Sequence, residues 1–243
     1  MVNTLIIKPE TRIVPEETPP KFLAEHLKAY EFIKDCAAGK KVLEVGCGDG
    51  YGSAYLAKVA AEVVGIDYEK DIIFQAQSKY SARNLSFQCS DALSLKFKDN
   101  SFDIVCSFQV IEHIPEDKLL LYLWEIKRVL KKEGAFYVST LNLEHTMKSP
   151  LTYKKHIAHC REFRFKELKD LLSEVFPDVT IYGLHVTWQH RFYQRLKKIG
   201  LFNFLPDLVN PVKRFYSQIT LKDFKVISHN VRKAIDFICV CRR

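Results

Sequence analysis

Apolar residues fall along this chain in short continuous runs separated by stripes of helical spacing. Residues 41–45, 62–66, 85–88, 102–108, 135–140, 179–184 and 235–241 are runs of four to seven residues, mostly apolar. Runs of that length predict strands, and the near-continuous ones predict strands buried on both faces. A helix is expected after Pro15, Pro19 and Pro20, which punctuate an extended leader, and runs to about Cys36. It places Phe22, Leu23, His26, Leu27, Tyr30 and Ile33 at helical spacing. Further helices are predicted over 53–60, 69–79, 117–130 and 165–175. In the third of these Leu120, Leu121, Trp124, Ile126 and Val129 form the apolar face, and Lys131 to Gly134 close it. Strands alternating with helices argue for a parallel sheet covered on both faces. Right-handed crossovers then put a ligand at the carboxyl ends of the strands, near the point where strand order reverses.

Four glycines fall in the seven residues Gly46-Cys47-Gly48-Asp49-Gly50-Tyr51-Gly52, directly after the first strand. Glycine accepts the backbone of a sharp turn and lets bare backbone approach a ligand. The helix that follows aims its free N–H groups at the same place. Strand, glycine turn and helix open a nucleotide-binding α/β domain, and the spacing excludes two versions of it. A G-x-G-x-x-G fingerprint needs glycine at position 51, where tyrosine stands, and no Gly-Lys-Ser/Thr follows to end a phosphate loop. Asp67 ends the second strand 21 residues beyond Gly46, where a carboxylate can meet ribose hydroxyls or cap the next helix. Asp91 follows the third strand in Ser90-Asp91-Ala92, and Q-V-I-E-H-I-P follows the fourth at 109–115. All four segments fall at strand carboxyl ends.

At 243 residues the chain reads as one domain with a substantial core: a leader and cap helix over 1–38, a cofactor-type core over 39–184, an insertion over 185–234 and a terminal strand over 235–243. No apolar run reaches the length of a membrane span, and residues 1–10 lack a signal-peptide pattern. Seven cysteines, an odd number without a C-x-x-C pair, fit unpaired thiols and a cytoplasmic location. Cys47, Cys89, Cys106 and Cys239 are expected as buried thiols in or beside strands. The formal charge of +8 is concentrated. Residues 184–235 hold ten Lys or Arg against Asp207 and Asp223, which accounts for the whole excess and leaves the core neutral.

With Glu44 completing E-x-G-x-G-x-G, and with Gly65-Ile66-Asp67, Ser90-Asp91-Ala92, residues 102–115 and Arg128-Val129-Leu130 through Thr140, the chain resembles class I S-adenosylmethionine-dependent methyltransferases. More narrowly it is similar to the type 11 group of small-molecule methyltransferases, some encoded among sugar and cell-envelope biosynthesis genes. Val14-Pro15-Glu16, Glu25-His26-Leu27, Tyr30, Gly50-Tyr51-Gly52-Ser53, Ile111-Glu112-His113 and His159-x-Arg161-Glu162-Phe163 carry that likeness, which covers roughly 12–184 and the last strand. It implies a Rossmann-like, doubly wound, mostly parallel seven-stranded α/β sheet with helices on both faces and an insertion before the last strand. It also implies S-adenosyl-L-methionine as cofactor, S-adenosyl-L-homocysteine as product, and a small-molecule acceptor, in first place a hydroxyl of a sugar, glycan precursor or other polar metabolite.

The resemblance implies cofactor contacts at Glu44 (orienting the ammonium, often through water), Gly46, Cys47, Gly48, Gly50, Asp67 (ribose hydroxyls), Tyr68, Asp91 (adenine amino group), Ala92 (ring nitrogen), Phe108 and Gln109. His113 is the candidate base, because an ordinary imidazole pKa suits pH 7; packing of the loop is its other reading. Tyr30, His159 and Arg161 are candidate substrate contacts, Arg161 meeting either an acidic substrate group or Glu162. His156 and His159 have a zinc-like spacing, but no third ligand is apparent in the sequence, so no metal is expected. Gln109 stands where relatives often have glutamate, Leu141 where they often have proline, and Ala29 where arginine is common. All three departures lie near the expected substrate mouth.

The basic, aromatic stretch 191–216 offers three readings: a grip on an anionic or lipid-linked acceptor at a membrane surface, RNA contact by phosphate and stacking, or a substrate lid with a solvated face. No stable nucleic-acid complex is expected, since the core is neutral and the loop after the fourth strand lacks an Asn/Asp-Pro-Pro-aromatic motif. An RNA or protein methyltransferase, or a non-catalytic binder of the cofactor, are the alternatives.

Overall fold

A computed structural model describes residues 12–147, 149, 151 and 153–243. The expectation about residues 1–10 lies outside the described residues. In chain order the elements are α1 (Pro20–Ala37), β1 (Lys41–Val45), α2 (Tyr51–Leu56), β2 (Glu62–Asp67), α3 (Lys70–Lys79), β3 (Leu85–Cys89), β4 (Phe102–Phe108) and α4 (Leu119–Val129). They continue with β5 (Leu130–Leu141), α5 (Leu143–Thr146), α6 (Phe165–Ser173), β6 (Asp178–Val186), α7 (Trp188–Ile199), α8 (Pro211–Ser217), β7 (Phe224–Ile227) and β8 (Asp236–Arg242). The sheet order is β3-β2-β1-β4-β5-β8-β6-β7. The strands β1 to β5 pair in parallel, and β8 runs antiparallel between β5 and β6. Strand order therefore reverses between β1 and β4, and the carboxyl ends of both open at that reversal.

Each central strand divides its side chains between two cores, because successive residues face opposite sides of a sheet. Leu43, Val64 and Val105 pack with α4 and α6; Val42, Val63 and Ile104 pack with α1 and α2. Glu44 shares the parity of Val42, so its carboxylate points into the α1–α2 layer, where it is 1% exposed.

Four expectations are corrected. The sheet has eight strands, because Phe224–Ile227 inside the insertion pairs antiparallel with β6 and covers its free edge. The buried stripe of α4 is Leu119, Tyr122, Leu123, Ile126 and Val129, while Leu120, Leu121 and Trp124 are 41–51% exposed. The sequence offers apolar residues on both sides of that helix, and the true stripe is the one with i, i+3, i+4, i+7 spacing. Residues 131–134 do not close α4 but lie within β5, where the pairing jumps from Phe102 against Leu130 to Ile104 against Ala135. The leader before α1 is turned, with the Glu17 and Thr18 N–H groups donating to the Val14 carbonyl, rather than extended.

All seven thiols are free. Cys47, Cys106, Cys239 and Cys241 are buried, but Cys89 is exposed, because β3 is an edge strand and turns that residue outward. Among the described residues no helix is long and apolar enough to cross a membrane.

Candidate active site

A cleft of about 950 Å³ opens at the strand-order reversal. The carboxyl ends of β1, β2, β3 and β4 and the start of α1's inner face build its walls. Gly46, Cys47, Gly48, Asp67, Tyr68, Asp91, Ala92, Phe108, Gln109, His113, Tyr30 and His26 line it, so the structure brings most of the residues singled out in the sequence to one place. Glu44, Gly50, His159 and Arg161 do not line it.

The floor is the glycine turn. Gly46, Gly48 and Gly50 have φ of +77°, +51° and +94°, the left-handed region that disfavours a side chain. A Cβ on Gly48 would meet nothing within 4 Å, so its bare backbone faces open space, whereas one on Gly50 would strike the Phe87 ring at 2.8 Å. Gly50 thus serves packing against β3 rather than the cleft. Gly52, which sequence reasoning left without a role, sits under Tyr30: a Cβ there would lie 2.1 Å from the Tyr30 ring. That close approach lets the Tyr30 hydroxyl donate to Glu44 Oε1 at 2.5 Å while the Ser53 hydroxyl donates to Glu44 Oε2. Glu44 is therefore one layer below the cleft, with both oxygens engaged. Burial pushes its carboxyl up to about 7, against the two hydroxyls, which favour the charged form.

One wall is acidic. Asp67 Oδ2 accepts the Gly48 N–H at 3.1 Å and Oδ1 accepts the Glu69 N–H at 3.2 Å, so the acid at the tip of β2 braces the glycine turn it faces. Burial raises its pKa. Asp91 Oδ1 accepts the Leu93 N–H at 2.8 Å, and the neighbouring Ser90 hydroxyl, buried at the cleft, has no partner among the described residues. Arg12, also missed in the sequence, lines the cleft and pairs with Glu69 at 2.6 Å.

The opposite wall follows β4. Gln109 holds a φ of +57°, uncommon for a residue with a side chain. Its Nε2 donates to Asp236 Oδ2 at 3.2 Å, next to a carboxyl whose pKa burial and the nearby Glu25 and Glu112 raise. A glutamate at 109 would set a second carboxylate against that acid, which gives the departure at this position a physical basis. His113 Nδ1 lies 2.9 Å from the Ala158 carbonyl oxygen. Burial lowers the His113 pKa, so the ring is neutral at pH 7.

Behind His113 stands a cluster from the segment between α5 and α6. Glu162 Oε1 meets His159 Nδ1 at 2.6 Å, and the His156 ring stands 4.7 Å from that of His159. Arg161 pairs with Glu116 at 2.5 Å, rather than with Glu162, and lies over the Phe163 ring, outside the cleft lining. The structure does not complete the His156–His159 pair that the spacing singled out; it gathers a different group, in which one potential donor atom each from Glu112, His113 and His159 lie within 4.8 Å of one another.

The insertion leaves β6 at the same edge of the sheet. Thr187 caps α7, with its Oγ1 accepting the His190 N–H, and Gly200 ends the helix in the left-handed region. His190 and Tyr193 hold the inner face against Phe215, the Tyr193 and Phe215 rings stacked at 4.2 Å. Trp188, Phe192 and Ile199 form an outward stripe, exposed by 51–74%, and Phe204, Leu208 and Val209 after the helix are exposed as well. Arg191, Arg195 and Lys198 flank it and are exposed as well.

Residues 43–138 match the family model described as "Methyltransferase domain". A protein of Mycolicibacterium smegmatis described as "Probable S-adenosylmethionine-dependent methyltransferase" is 34% identical over 148 residues, 61% of this chain and 56% of that protein. A ubiquinone biosynthesis O-methyltransferase of Coxiella burnetii is 33% identical over 106 residues, 43% of this chain and 44% of that protein. The chain spans about half the length of these curated relatives. Among solved structures, a SAM-dependent methyltransferase from Thermotoga maritima superposes with a TM-score of 0.63 at 18% identity, covering 91% of each chain. One from Archaeoglobus fulgidus gives 0.60 at 16% identity, covering 92% of this chain and 94% of that one. At those identities the structures speak for the fold.

Proposed function

We propose that this chain, whose residues 43–138 carry a class I S-adenosylmethionine-dependent methyltransferase domain of the type 11 group, transfers a methyl group to a hydroxyl oxygen of a small-molecule acceptor. One observation carries the reading: bare glycine backbone, the β2 acid and the β3 Ser90-Asp91 pair converge on a single cleft at the strand-order reversal. S-adenosylmethionine fits these groups. Asp67 keeps lone pairs beyond its two backbone bonds for a pair of ribose hydroxyls. The unpartnered Ser90 hydroxyl and the exposed Asp91 offer polar contacts to a base. The acids Asp67 and Asp91 suit a ligand with a sulfonium and an ammonium. The cleft volume is near the top of the usual range for small-molecule sites, roughly 300–1,000 Å³. That supports a small acceptor beside the cofactor.

The bound cofactor supplies an electrophilic methyl carbon. The acceptor oxygen forms the new C–O bond while the C–S bond breaks, its electron pair staying on sulfur, and the hydroxyl proton must leave. His113 lines the acceptor wall. Its Nδ1–H is held by the Ala158 carbonyl, which leaves the Nε2 lone pair to receive or hold that proton. Positioning can supply about 7–11 kcal/mol of the barrier, whereas a base contributes roughly 10²–10⁴-fold, so alignment by the cleft walls is the larger effect. The O-methyltransferase name of the Coxiella relative supports oxygen as the methyl acceptor. The exposed aromatic and basic stripe of α7 supports an acceptor met at an anionic membrane surface, where one helix face is apolar and its flanks are cationic.

Purified protein, methyl-labelled S-adenosylmethionine and a lysate of the source organism, with Asp67→Ala as control, test the reading. Label in lipids or polar metabolites, absent in the control, is expected. Label in RNA or protein overturns the acceptor class. Intact cofactor binding with no label in any fraction, although vesicles and metabolites are supplied, favours a non-catalytic binder.

A further inference from the structure

The segment between α5 and α6 is fastened to the turn after β4. The Cys160 and Arg161 N–H groups donate to the Glu112 carbonyl at 2.8 and 3.1 Å, and the Cys160 thiol donates to the His113 carbonyl at 3.2 Å. This clamp brings the His159 ring to 5.0 Å from that of His113. A carboxylate oxygen of Glu112 and one ring nitrogen from each histidine then lie within 4.8 Å of one another.

Three observations separate this group from three side chains that merely pack. A carbonyl oxygen only accepts, so the proton of His113 sits on Nδ1, facing Ala158, and the lone pair is on Nε2. Glu162 Oε1 holds His159 Nδ1 in the same manner at 2.6 Å. A carbonyl or carboxylate behind the ring is the arrangement that orients metal-bound imidazoles and fixes their tautomer. Glu112 is 1% exposed, and among the other described residues only the Thr140 hydroxyl supports its carboxylate, with no positive charge beside it. A carboxylate buried in that way is costly unless a positive charge faces it.

We propose that Glu112, His113 and His159 bind one divalent first-row transition cation, Zn²⁺ in first place, and that the acceptor hydroxyl joins its coordination from the cleft side, where His113 forms the wall. Two imidazole nitrogens and one carboxylate oxygen make a donor set of catalytic zinc sites, which keep a position open. The nitrogen donors favour Zn²⁺ over Mg²⁺ and Ca²⁺, which take oxygen ligands. A cation there lowers the pKa of a bound hydroxyl, as Zn²⁺ lowers that of water from 15.7 to about 7. The acceptor oxygen loses its proton to solvent before the C–O bond forms, and His113 acts as a ligand instead of a base. The acceptor's place rests on the methyl-transfer reading; the metal site does not.

The full chain, stripped by a chelator and dialysed, is titrated with Co²⁺ followed by absorption and with Zn²⁺ followed by calorimetry. One equivalent of each metal is expected to bind. Glu162→Gln, which loosens His159, should weaken Zn²⁺ by about 10–100-fold, and His159→Ala or Glu112→Gln by at least as much. His156→Ala, outside the ligand set, should leave affinity within about 3-fold, and S-adenosylmethionine binding in each variant serves as the control for folding. No stoichiometric binding by the wild type, or binding that His159→Ala leaves unchanged, overturns the site. Methyl transfer that persists in the stripped protein overturns the cation's place in the reaction and returns His113 to the role of base. Loss of the methyltransferase reading with Zn²⁺ binding intact leaves the site standing.

Discussion

Replacing Tyr30 by phenylalanine probes the layer beneath the glycine turn without disturbing the packing above it. The phenylalanine ring keeps the edge contacts with Phe108 at 4.8 Å and Tyr51 at 5.7 Å, and only the hydroxyl that donates to Glu44 is lost. Burial raises the folded-state pKa of Glu44 from the 4.5 of an ordinary glutamate to about 7. Between these values the folded protein binds more protons than the unfolded chain. Stability from this group is therefore full below the lower value, falls as pH rises through the window and is flat above it. The total loss is about 3 kcal/mol. A hydrogen bond to the ionised carboxylate contributes about 1.5–3 kcal/mol, and one to a neutral carboxyl about 0.5–1.5. Tyr30→Phe should thus cost more at about pH 8.5 than at about pH 5.5, by roughly 1–1.5 kcal/mol, and raise the Glu44 pKa by about one unit. Urea unfolding of the wild type, Tyr30→Phe, Glu44→Gln and the double variant at the two pH values measures this. An equal loss at both pH values, or a pH dependence that survives in Glu44→Gln, would refute the assignment of the window to this carboxyl.

Gly52→Ala is expected to lower stability by about 1–3 kcal/mol, the usual cost of overpacking, and to weaken S-adenosylmethionine, since its Cβ would drive Tyr30 and α1 off the glycine turn; thermal melts and calorimetry read both. Asp67→Asn removes a charge but keeps the volume. Losing one charge-assisted bond of about 1.5–3 kcal/mol predicts a roughly 10–100-fold higher Kd for the cofactor, and an unchanged Kd would take Asp67 out of the cofactor site. Trp188→Ser with Phe192→Ser should cut binding to anionic vesicles by more than about 10-fold, given about 1.5–3 kcal/mol for each buried side chain. Binding of the wild type to the same vesicles should fall as salt rises; flotation that is indifferent to both changes would exclude the membrane contact.

The half of the site built from consecutive residues was readable from the sequence. Strand, glycine turn and terminal acid are local signals, and the structure sets Gly46, Gly48, Asp67 and Asp91 around one cleft as their spacing along the chain suggested. Glu44 lies outside it for a reason also written in the sequence, the two-residue period of a strand, which turns it to the side of Val42. Gly52 carried no such signal, because its requirement comes from Tyr30, twenty-two residues earlier, pressing on its Cα. Where two apolar stripes share one helix, as in α4, periodicity names both and only the sheet selects Leu119, Tyr122 and Leu123 over Leu120, Leu121 and Trp124.

The acceptor wall was less readable because its parts meet only across long sequence separations. His113 reaches Ala158 forty-five residues away, and Gln109 reaches Asp236 at the far end of the chain. A spacing rule pairs His159 with His156, whereas the structure sets it beside His113 and Glu112, which arrive through the Cys160 and Arg161 N–H groups that fasten the Glu112 carbonyl to their segment. The same clamp explains why Arg161 stands apart from the cleft: with its backbone fixed on Glu112, its side chain turns outward to Glu116. On the proposed reading, cofactor binding and acceptor chemistry thus rest on different kinds of structure. The first is set by a turn that any β-α unit with these glycines can form, and the second by a segment whose sequence can change without touching that turn. A change at Glu112, His159 or Glu162 should therefore alter transfer to the acceptor while leaving the cofactor's Kd unaltered. A change at Gly48 or Asp67 should raise the cofactor's Kd and lower transfer only through it, so that transfer recovers at saturating S-adenosylmethionine. Measuring the two constants separately for His159→Ala and Asp67→Asn decides it, and a parallel loss of both in either variant would show that the two walls act as one unit.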